Sequence, residues 1–325
     1  MMQYYLAPME GITGHIYRNA LKEFFQMPDK CFTPFIAPNQ NRCMNAREER
    51  EVSPEHNRGM YIVPQILTNK SELFVKTCEE LKDLGYEEVN LNLGCPSGTV
   101  VAKKRGSGFL SVPQQLNFFL DEIFTYTNIK ISIKTRLGIE NPEEFYAILE
   151  MYNKYPLHEL VIHPRVQKDF YKNKPHMDIF QEALQISKHK ICYNGDIFTK
   201  KDLEEFQQAF PEVESVMLGR GIVSNPGLLN LINQEKGMVE KVITKEQIKG
   251  FHQCLLEGYR SEIHGDINVL YKMKEMWFYM SRIFEDSEKI IKKIRKTQKL
   301  GDYEKLVEQL LKEKELVFAE RLYFG

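Results

Sequence analysis

Eight short runs rich in β-forming residues recur along the first two thirds of the chain, and from the third run onward helical segments separate them. Strands that alternate with helices pair in parallel, so this pattern predicts a parallel sheet. Eight such units in about 235 residues fit a closed (β/α)₈ TIM barrel better than an open sheet, which usually has fewer strands. The predicted strands are 3–7, 33–37, 61–67, 87–93, 129–135, 158–163, 190–194 and 213–219.

The segments between these strands differ in character. Segment 39–59 is rich in Asn, Arg and Glu and is predicted to be a long polar loop. No GxGxxG motif follows the first strand, so the fingerprint of a dinucleotide-binding open sheet is absent from the sequence. The clearest predicted helices are 70–84, 112–125, 142–154 and 199–210.

The chain after residue 240 changes to helical periodicity alone, which predicts a small all-α helical bundle. We therefore expect a barrel domain over residues 1–239 and a helical domain over residues 240–325. The helices predicted in the second domain are 244–262, 266–283, 285–299 and 302–320, with breaks at His264-Gly265 and Leu300-Gly301.

The charge balance gives no general sign of a nucleic-acid partner. Lys and Arg number 44 and Asp and Glu number 45, for a formal net charge of −1, so a polyanion would have to be held by a local patch. The predicted helix 285–299 offers one candidate, although such a run is more often a solvated helix face. Its cations, with no acidic residue between them, are Lys289, Lys292, Lys293, Arg295, Lys296 and Lys299.

The six cysteines form no CxxC pair, which argues against a zinc site and against a disulfide framework. The N-terminus enters a strand-like run at once and lacks a basic region followed by a long apolar stretch. We therefore expect a cytoplasmic protein with reduced thiols, no metal and no membrane span. The sequence leaves the oligomeric state open, and a monomer is the expectation.

Polar and reactive side chains follow the predicted strands at their carboxyl ends, which is where barrel active sites are built. Any one of them has an ordinary explanation: Cys95 as a small buried filler, Gln65 or Asn194 as a helix cap, His163 as a core histidine. That polar or reactive side chains would occur by chance at the ends of all eight predicted strands is much less expected. The residues are Pro8, Met9, Glu10, Pro38, Asn39, Gln65, Asn92, Cys95, Lys134, Arg136, His163, Arg165, Asn194, Gly195, Asp196, Gly219, Arg220 and Gly221.

The last two strand ends predict a phosphate site. Loops after strands 7 and 8 of barrels often present backbone N–H groups and a short helix N-terminus to an anion. Strand 7 ends in Asn194-Gly195-Asp196 and strand 8 in Gly219-Arg220-Gly221. We therefore expect a phosphate-bearing cofactor or substrate here, with Arg220 as a bidentate cation.

Two further residues suggest redox chemistry. Lys134 alternates with Ile129, Ile131 and Ile133, so it faces the barrel mouth, where an ammonium could stabilise charge on a reduced flavin; an ordinary surface lysine is the alternative. Cys95 follows a strand in the turn Gly94-Cys95-Pro96, and an unperturbed thiol is mostly protonated near neutral pH. It can therefore serve as an acid, and no adjacent histidine makes it a nucleophile.

Cys95 and Lys134 lie within segments that, taken together along the chain, resemble the tRNA-dihydrouridine synthases. The similarity spans nearly the whole chain in the same order, which makes it far more specific than any single motif. The segments are LAPMEGITGHIYR (6–18), PQI (64–66), NLNLGCP (90–96), GSGFL (106–110), IKTRLG (133–138), VIHPR (161–165) with Tyr171, YNGDI (193–197), MLGRGIVSNP (217–226) and VLYKMKEMWFY (269–279).

The resemblance implies an FMN-bearing barrel and a helical tRNA-binding domain, with NADPH as the reductant. It further implies hydride transfer from reduced FMN to uracil C6 and donation of a proton from Cys95 to C5. Asn92 and Arg165 are expected to contact the substrate. The expected cofactor contacts are Pro8, Met9 and Glu10 along the flavin, Gln65, Lys134 and His163 at its ring system, and Asn194, Gly195, Asp196, Gly219 and Arg220 around its phosphate.

Two alternatives remain open at this point. One is another FMN barrel that acts on a small free pyrimidine, as dihydroorotate dehydrogenases do, although a free base would need no helical domain. The other is a flavin-containing RNA-binding protein without chemistry. The first predicts activity without RNA, and the second predicts RNA binding that does not depend on Cys95.

Overall fold

A computed structural model describes residues 2–234 and 243–318. Its nine short strands form one parallel sheet in the order β3-β2-β1-β9-β8-β7-β6-β5-β4. The strands are β1 (Gln3–Leu6), β2 (Lys30–Phe32), β3 (Ile62–Val63), β4 (Gln65–Ile66), β5 (Glu88–Leu93), β6 (Lys130–Arg136), β7 (Glu159–His163), β8 (Ile191–Tyr193) and β9 (Ser215–Leu218).

The sheet closes on itself through the run 62–66. Pro64 has no N–H and divides this run into β3 and β4. β3 pairs with β2 on one side and β4 pairs with β5 on the other, so the two halves together act as one barrel strand. The predicted eight-stranded parallel barrel is therefore confirmed.

Helices cover the barrel and continue beyond it. Within the described residues they are α1 (His15–Phe24), α2 (Ala46–Val52), α3 (Ser71–Asp83), α4 (Gly98–Val101), α5 (Pro113–Tyr126), α6 (Glu144–Tyr152), α7 (Met177–Ile186), α8 (Lys200–Ala209), α9 (Arg220–Ser224), α10 (Leu228–Ile232), α11 (Lys245–Glu262), α12 (Asp266–Met280), α13 (Glu288–Lys296) and α14 (Leu300–Glu313). Short 3₁₀ turns lie at Pro54–Asn57, Gly106–Ser111, Gln167–Asp169 and Ser281–Ile283.

Two predictions in the first part of the chain were wrong. The second strand is β2, not 33–37, because Pro34 cannot donate to the ladder and regular pairing ends before it. The predicted loop 39–59 contains α2 and a 3₁₀ turn. Asn45 Oδ1 accepts from the Glu48 backbone N–H and Glu48 Oε2 accepts from the Asn45 backbone N–H, a capping box that makes this polar segment helical.

The helical region begins as predicted and departs from prediction toward its end. The break predicted at Leu300-Gly301 was wrong, because Gly301 lies in the first turn of α14 and the break falls at residues 297–299. α13 and α14 are also shorter than the predicted 285–299 and 302–320. The predicted boundary between residues 239 and 240 lies outside the described residues.

The barrel interior has a polar layer at the amino ends of the strands. Lys30 Nζ lies 2.9 Å from Glu88 Oε2 and 3.6 Å from Glu159 Oε2, and Tyr5 donates to Glu159 Oε1 at 2.9 Å. We call Lys30, Glu88 and Glu159 the polar floor. Above it lies a small apolar cluster of inward-facing side chains: Tyr5, Ala7, Phe32, Val63, Val161, Cys192 and Met217.

The helical region docks against the first βα unit of the barrel. Phe251 of α11 packs edge-on against Tyr17 and Phe25, each with ring centroids 5.6 Å apart. Lys272 of α12 donates to the Gly11 carbonyl at 2.8 Å. These contacts carry the C-terminal end of α12 to the mouth of the barrel.

Candidate active site

A cavity of about 300 Å³ lies at the carboxyl ends of the barrel strands, and its volume is in the range of small-molecule sites. Nine of the predicted cofactor contacts line it: Pro8, Met9, Lys134, His163, Asn194, Gly195, Asp196, Gly219 and Arg220. Most of the site residues that were predicted from their positions at strand ends therefore lie around one cavity.

The charges around this cavity favour an anion. Four cationic side chains line it, whereas Asp196 is the one carboxylate among its lining residues in the described part of the chain. The cations are Lys134, Lys172, Arg220 and Arg282. A group that carries a phosphate fits such a surface.

Lys134 faces the cavity from β6, as its register predicts. Burial and, to a smaller extent, the charge of the neighbouring Arg136 lower its pKa from the ordinary value to about 8. Within residues 2–234 and 243–318, Lys134 forms no ion pair with a carboxylate. The ammonium is thus costly in the protein alone, and a bound anionic group would stabilise it.

His163 is held as a neutral imidazole. Burial, followed by the charges of Arg136, Lys134, Arg165 and Arg220, lowers its pKa well below the ordinary value. The Arg165 guanidinium lies 3.1 Å from His163 Nε2, and because arginine can only donate, Nε2 accepts. The ring proton is therefore on Nδ1, which leaves the histidine one N–H donor.

Asp196 lies between two arginines. Arg165 Nη1 donates to Asp196 Oδ1 at 3.0 Å, and Arg220 Nη2 donates to the same oxygen at 2.6 Å. Arg165 Nε also donates to the Asn173 carbonyl at 2.6 Å. Arg165 is almost fully buried and does not line the cavity, so in this structure it orients His163 and Asp196.

Several cavity residues were not assigned a role from sequence. Tyr171 lies between two guanidinium groups, with its ring 5.2 Å from Arg136 and 4.9 Å from Arg220. Phe278 and Tyr279 reach the cavity from the end of α12. The aromatic run in MWFY was a possible signal, but which part of a helix docks at the mouth is not a local property of the sequence.

The turn that carries Cys95 is fixed on both sides. Asn92 Oδ1 accepts from the backbone N–H groups of Gly94 at 3.0 Å and Cys95 at 2.9 Å. Ser107 donates to the Cys95 carbonyl from its backbone at 3.1 Å and from its hydroxyl at 2.9 Å. Gly106 has φ +55°, and a Cβ there would lie 2.8 Å from the Cys95 carbonyl oxygen. The turn therefore needs glycine at this position.

The Cys95 thiol is half-buried and not sealed in apolar packing. Burial raises its pKa, while the Ser97 backbone N–H and the charges of Lys134 and Arg136 act in the opposite direction. The group is thus protonated at neutral pH. Cys95 does not itself line the cavity, but Lys134, whose charge acts on it, does.

A chain of amide hydrogen bonds runs from this turn into the barrel. Asn92 Nδ2 donates to Gln65 Oε1 at 2.7 Å, and Gln65 Nε2 donates to Asn90 Oδ1 at 2.8 Å. Asn90 Nδ2 in turn donates to Ser132 Oγ at 3.0 Å. Gln65 is fully buried and pairs with Asn90, two residues below Asn92, so it lies beneath the cavity.

Five predicted site residues lie outside the cavity lining. Glu10 is on the exposed rim, where its carboxylate lies 3.1 Å from Arg47. The others are Gln65, Asn92, Cys95 and Arg165, placed as described above. Their roles toward cofactor and substrate stay predictions.

The part of the chain that the structure describes contains neither a candidate metal cluster nor a membrane-spanning helix. No cluster of three or more His, Cys, Asp or Glu side chains could hold a metal ion there. No helix among residues 2–234 and 243–318 is long and apolar enough to cross a membrane.

Comparison with known proteins gives a family match along almost the entire chain. The family model described as Dihydrouridine synthase (Dus) matches residues 5–319. The tRNA-dihydrouridine(16) synthase of Pseudomonas putida is 29% identical over 235 residues, which cover 70% of this chain and 72% of that protein. The Probable tRNA-dihydrouridine synthase of Staphylococcus aureus strain COL is 30% identical over 234 residues, or 68% of each chain.

A relative of similar length matches along almost the entire chain, and a solved structure shares the fold. The tRNA-dihydrouridine(16) synthase of Vibrio vulnificus is 25% identical over 323 residues, which cover 95% of this chain and 96% of that protein. Histamine dehydrogenase from Rhizobium sp. 4-9 superposes with a TM-score of 0.54 over 87% of this chain and 51% of that one, at 9% identity. Such a likeness shows the fold alone.

Proposed function

The chain belongs to the dihydrouridine synthase family, and from that premise we propose that it is a flavin-dependent oxidoreductase that reduces specific uridines of tRNA to 5,6-dihydrouridine. The family match over residues 5–319 is the observation that carries this proposal. The names of the relatives, which specify tRNA, support the substrate class.

The cofactor proposed for the cavity is FMN, and the donor set fits it. Four cations against one carboxylate suit a phosphate-bearing group. Lys134 and the Nδ1–H of His163 would contact the ring system, while Arg220 and the backbone around Gly195 and Gly219 would hold the phosphate. When bound, reduced FMN supplies the hydride for uracil C6, and NADPH is the proposed external reductant.

Cys95 is the proposed proton donor to uracil C5. Burial keeps the thiol protonated at neutral pH, so it carries the proton that the second half of the reduction requires. Donation leaves a thiolate, which Lys134 and Arg136 stabilise electrostatically before solvent returns the proton. Asn92 and Ser107 hold the turn, so the thiol approaches the base from a fixed direction.

The target uridine has to leave its stack to reach this cavity, because a base within folded RNA keeps C5 and C6 covered. We propose Asn92 and Arg165 as substrate contacts, in addition to the protein contacts that they already make. We also propose that the barrel, residues 1–239, performs the reduction and that the helical region, residues 240–325, binds tRNA.

The alternative of a small free pyrimidine is not favoured, since the family match extends through the helical region. The test compares substrates with the full-length protein. Flavin-loaded protein and NADPH are incubated with an unmodified tRNA transcript, free uridine or orotate, and products are measured by mass spectrometry. The proposal expects dihydrouridine in tRNA alone; reduction of a free pyrimidine and none of tRNA would contradict it.

A further inference from the structure

A second concave surface lies beside the cavity on the helical region. It is a groove of about 750 Å³ between α12 and α13, which we call the α12–α13 groove. Its lining includes Tyr271, Lys274, Phe278 and Arg295. The proposed reduction chemistry uses none of these four residues.

Two aromatic side chains are exposed in this groove. Tyr271 is 57% exposed and Phe278 is 48% exposed. They are seven residues apart on α12, so they lie on the same helix face, while Met273 and Trp277 occupy the buried face. Aromatic side chains exposed together in one groove are a feature of ligand- and partner-binding surfaces.

Two of the three cations that line the groove among the described residues lie against these rings, and the third, Lys272, pairs with Glu275. Lys274 Nζ lies 5.9 Å from the centre of the Tyr271 ring, and the Arg295 guanidinium lies 5.5 Å from the centre of the Phe278 ring. Aromatic platforms edged by cations are the recurring surface for single-stranded nucleic acid, since every base has a face that stacks and every nucleotide carries a phosphate.

The groove adjoins the cavity. Phe278 lines both of them. Arg282 lines the cavity, and it is near enough to Arg295 of the groove and Arg220 of the cavity for their charges, after burial, to lower its pKa. Three guanidinium groups, those of Arg220, Arg282 and Arg295, are thus shared between the cavity and the neighbouring groove, which suits a polyanionic strand entering the cavity.

We propose that the α12–α13 groove binds the RNA strand that flanks the target uridine, with a base stacked on Tyr271 and phosphates beside Lys274 and Arg295. This inference rests on the proposed function and gives a place in the helical region to the nucleotides next to the reacting one. Those neighbours lose their own stacking when the uridine leaves the helix, and the groove replaces it.

The test measures equilibrium binding of an unmodified tRNA transcript to the full-length, flavin-loaded protein. Tyr271→Ala should weaken binding by about 5- to 140-fold, which corresponds to the loss of one base stack. Tyr271→Phe should bind like the native protein, because stacking does not need the hydroxyl. Tyr126→Ala is the matched control, since Tyr126 is 69% exposed at the end of α5, and it should bind normally.

The phosphate contact has its own readout in the salt dependence. Arg295→Ala should reduce the slope of log K against log salt by about 0.7 to 0.9, whereas Lys82→Ala, an exposed cation on α3, should leave it unchanged. Flavin content should be native in all variants.

Unchanged affinity in Tyr271→Ala, or an equal loss in Tyr126→Ala, would overturn the groove proposal. The proposed function would survive that result if the native protein still forms dihydrouridine in tRNA. A native protein that forms none in tRNA would instead remove the proposed function, whatever the groove variants do.

Discussion

Asn92→Ala is predicted to loosen the turn that carries Cys95. The substitution removes the acceptor of two backbone N–H groups, those of Gly94 and Cys95, and the donor to Gln65 Oε1. The two N–H groups are half-buried, so water can replace part of what they lose, whereas Gln65 is fully buried. The unsatisfied Gln65 oxygen should therefore cost at least as much as either N–H group.

The size of the effect follows from these three bonds. About 1 kcal/mol for each half-buried N–H and about 1–3 kcal/mol for the unsatisfied Gln65 oxygen give a loss of roughly 3–5 kcal/mol in unfolding free energy. A displaced thiol should also slow dihydrouridine formation by about 100-fold. Urea unfolding measures the first quantity, and tRNA turnover per bound flavin measures the second.

Asn92→Asp separates the two roles of this residue. The carboxylate keeps an acceptor for the two N–H groups of the turn, but the substitution removes the amide N–H that could donate to a uracil carbonyl. If the turn is the main role, Asn92→Asp should lose less than about 10-fold in turnover and Asn92→Ala about 100-fold. Equal losses in the two variants would refute the turn argument, as would native turnover in Asn92→Ala.

Three further substitutions test other parts of the structure. Lys30→Met leaves two buried carboxylates without their ammonium and should lower the unfolding free energy by about 3–5 kcal/mol, measured by urea unfolding. An unchanged urea midpoint would contradict the claim that Lys30 stabilises the carboxylates of the polar floor. Lys134→Met should weaken flavin binding yet stabilise the flavin-free protein, since the ammonium is costly there; equal flavin content and stability would refute this. Burial lowers the pKa of His15, but the hydrogen bonds and charges of Glu51 and Glu262 outweigh it, so the pKa in the folded protein is raised. The charged ring therefore stabilises the fold fully at pH values below the unfolded-state pKa, and this stabilisation is lost as the pH rises through the folded-state pKa. His15→Gln should therefore destabilise more at pH 6 than at pH 9, and a pH-independent difference would contradict the assignment.

The barrel and most of the cavity could be predicted from sequence because the physical rules involved are local or topological. Alternation of strands and helices requires a parallel sheet, and parallel strands bring their carboxyl ends to one mouth. The alternation in β6 also places Lys134 inward, because Ile131 and Ile133 pack outward against the helices.

The remaining features depend on interactions that a linear pattern does not contain. Gln65 lies within the predicted strand 61–67, but its level in the barrel is set by its pairing with Asn90, which places it beneath the mouth. Phe278 and Tyr279 reach the cavity only because α11 and α12 dock on the first βα unit. The capping box at Asn45 could have been recognised from the sequence, but the polar composition of 39–59 led to the prediction of a loop instead.

The most direct measurement of the central claim compares two cysteines of similar exposure. Cys95 and Cys254 are both half-buried, and Cys254 lies on α11. Each is replaced by Ala, flavin content and NADPH oxidation are recorded, and dihydrouridine in an unmodified tRNA transcript is quantified by mass spectrometry. Cys95→Ala should keep flavin and oxidise NADPH while forming little dihydrouridine, and Cys254→Ala should form the native amount. Full dihydrouridine formation by Cys95→Ala would contradict the assignment of its thiol as the acid.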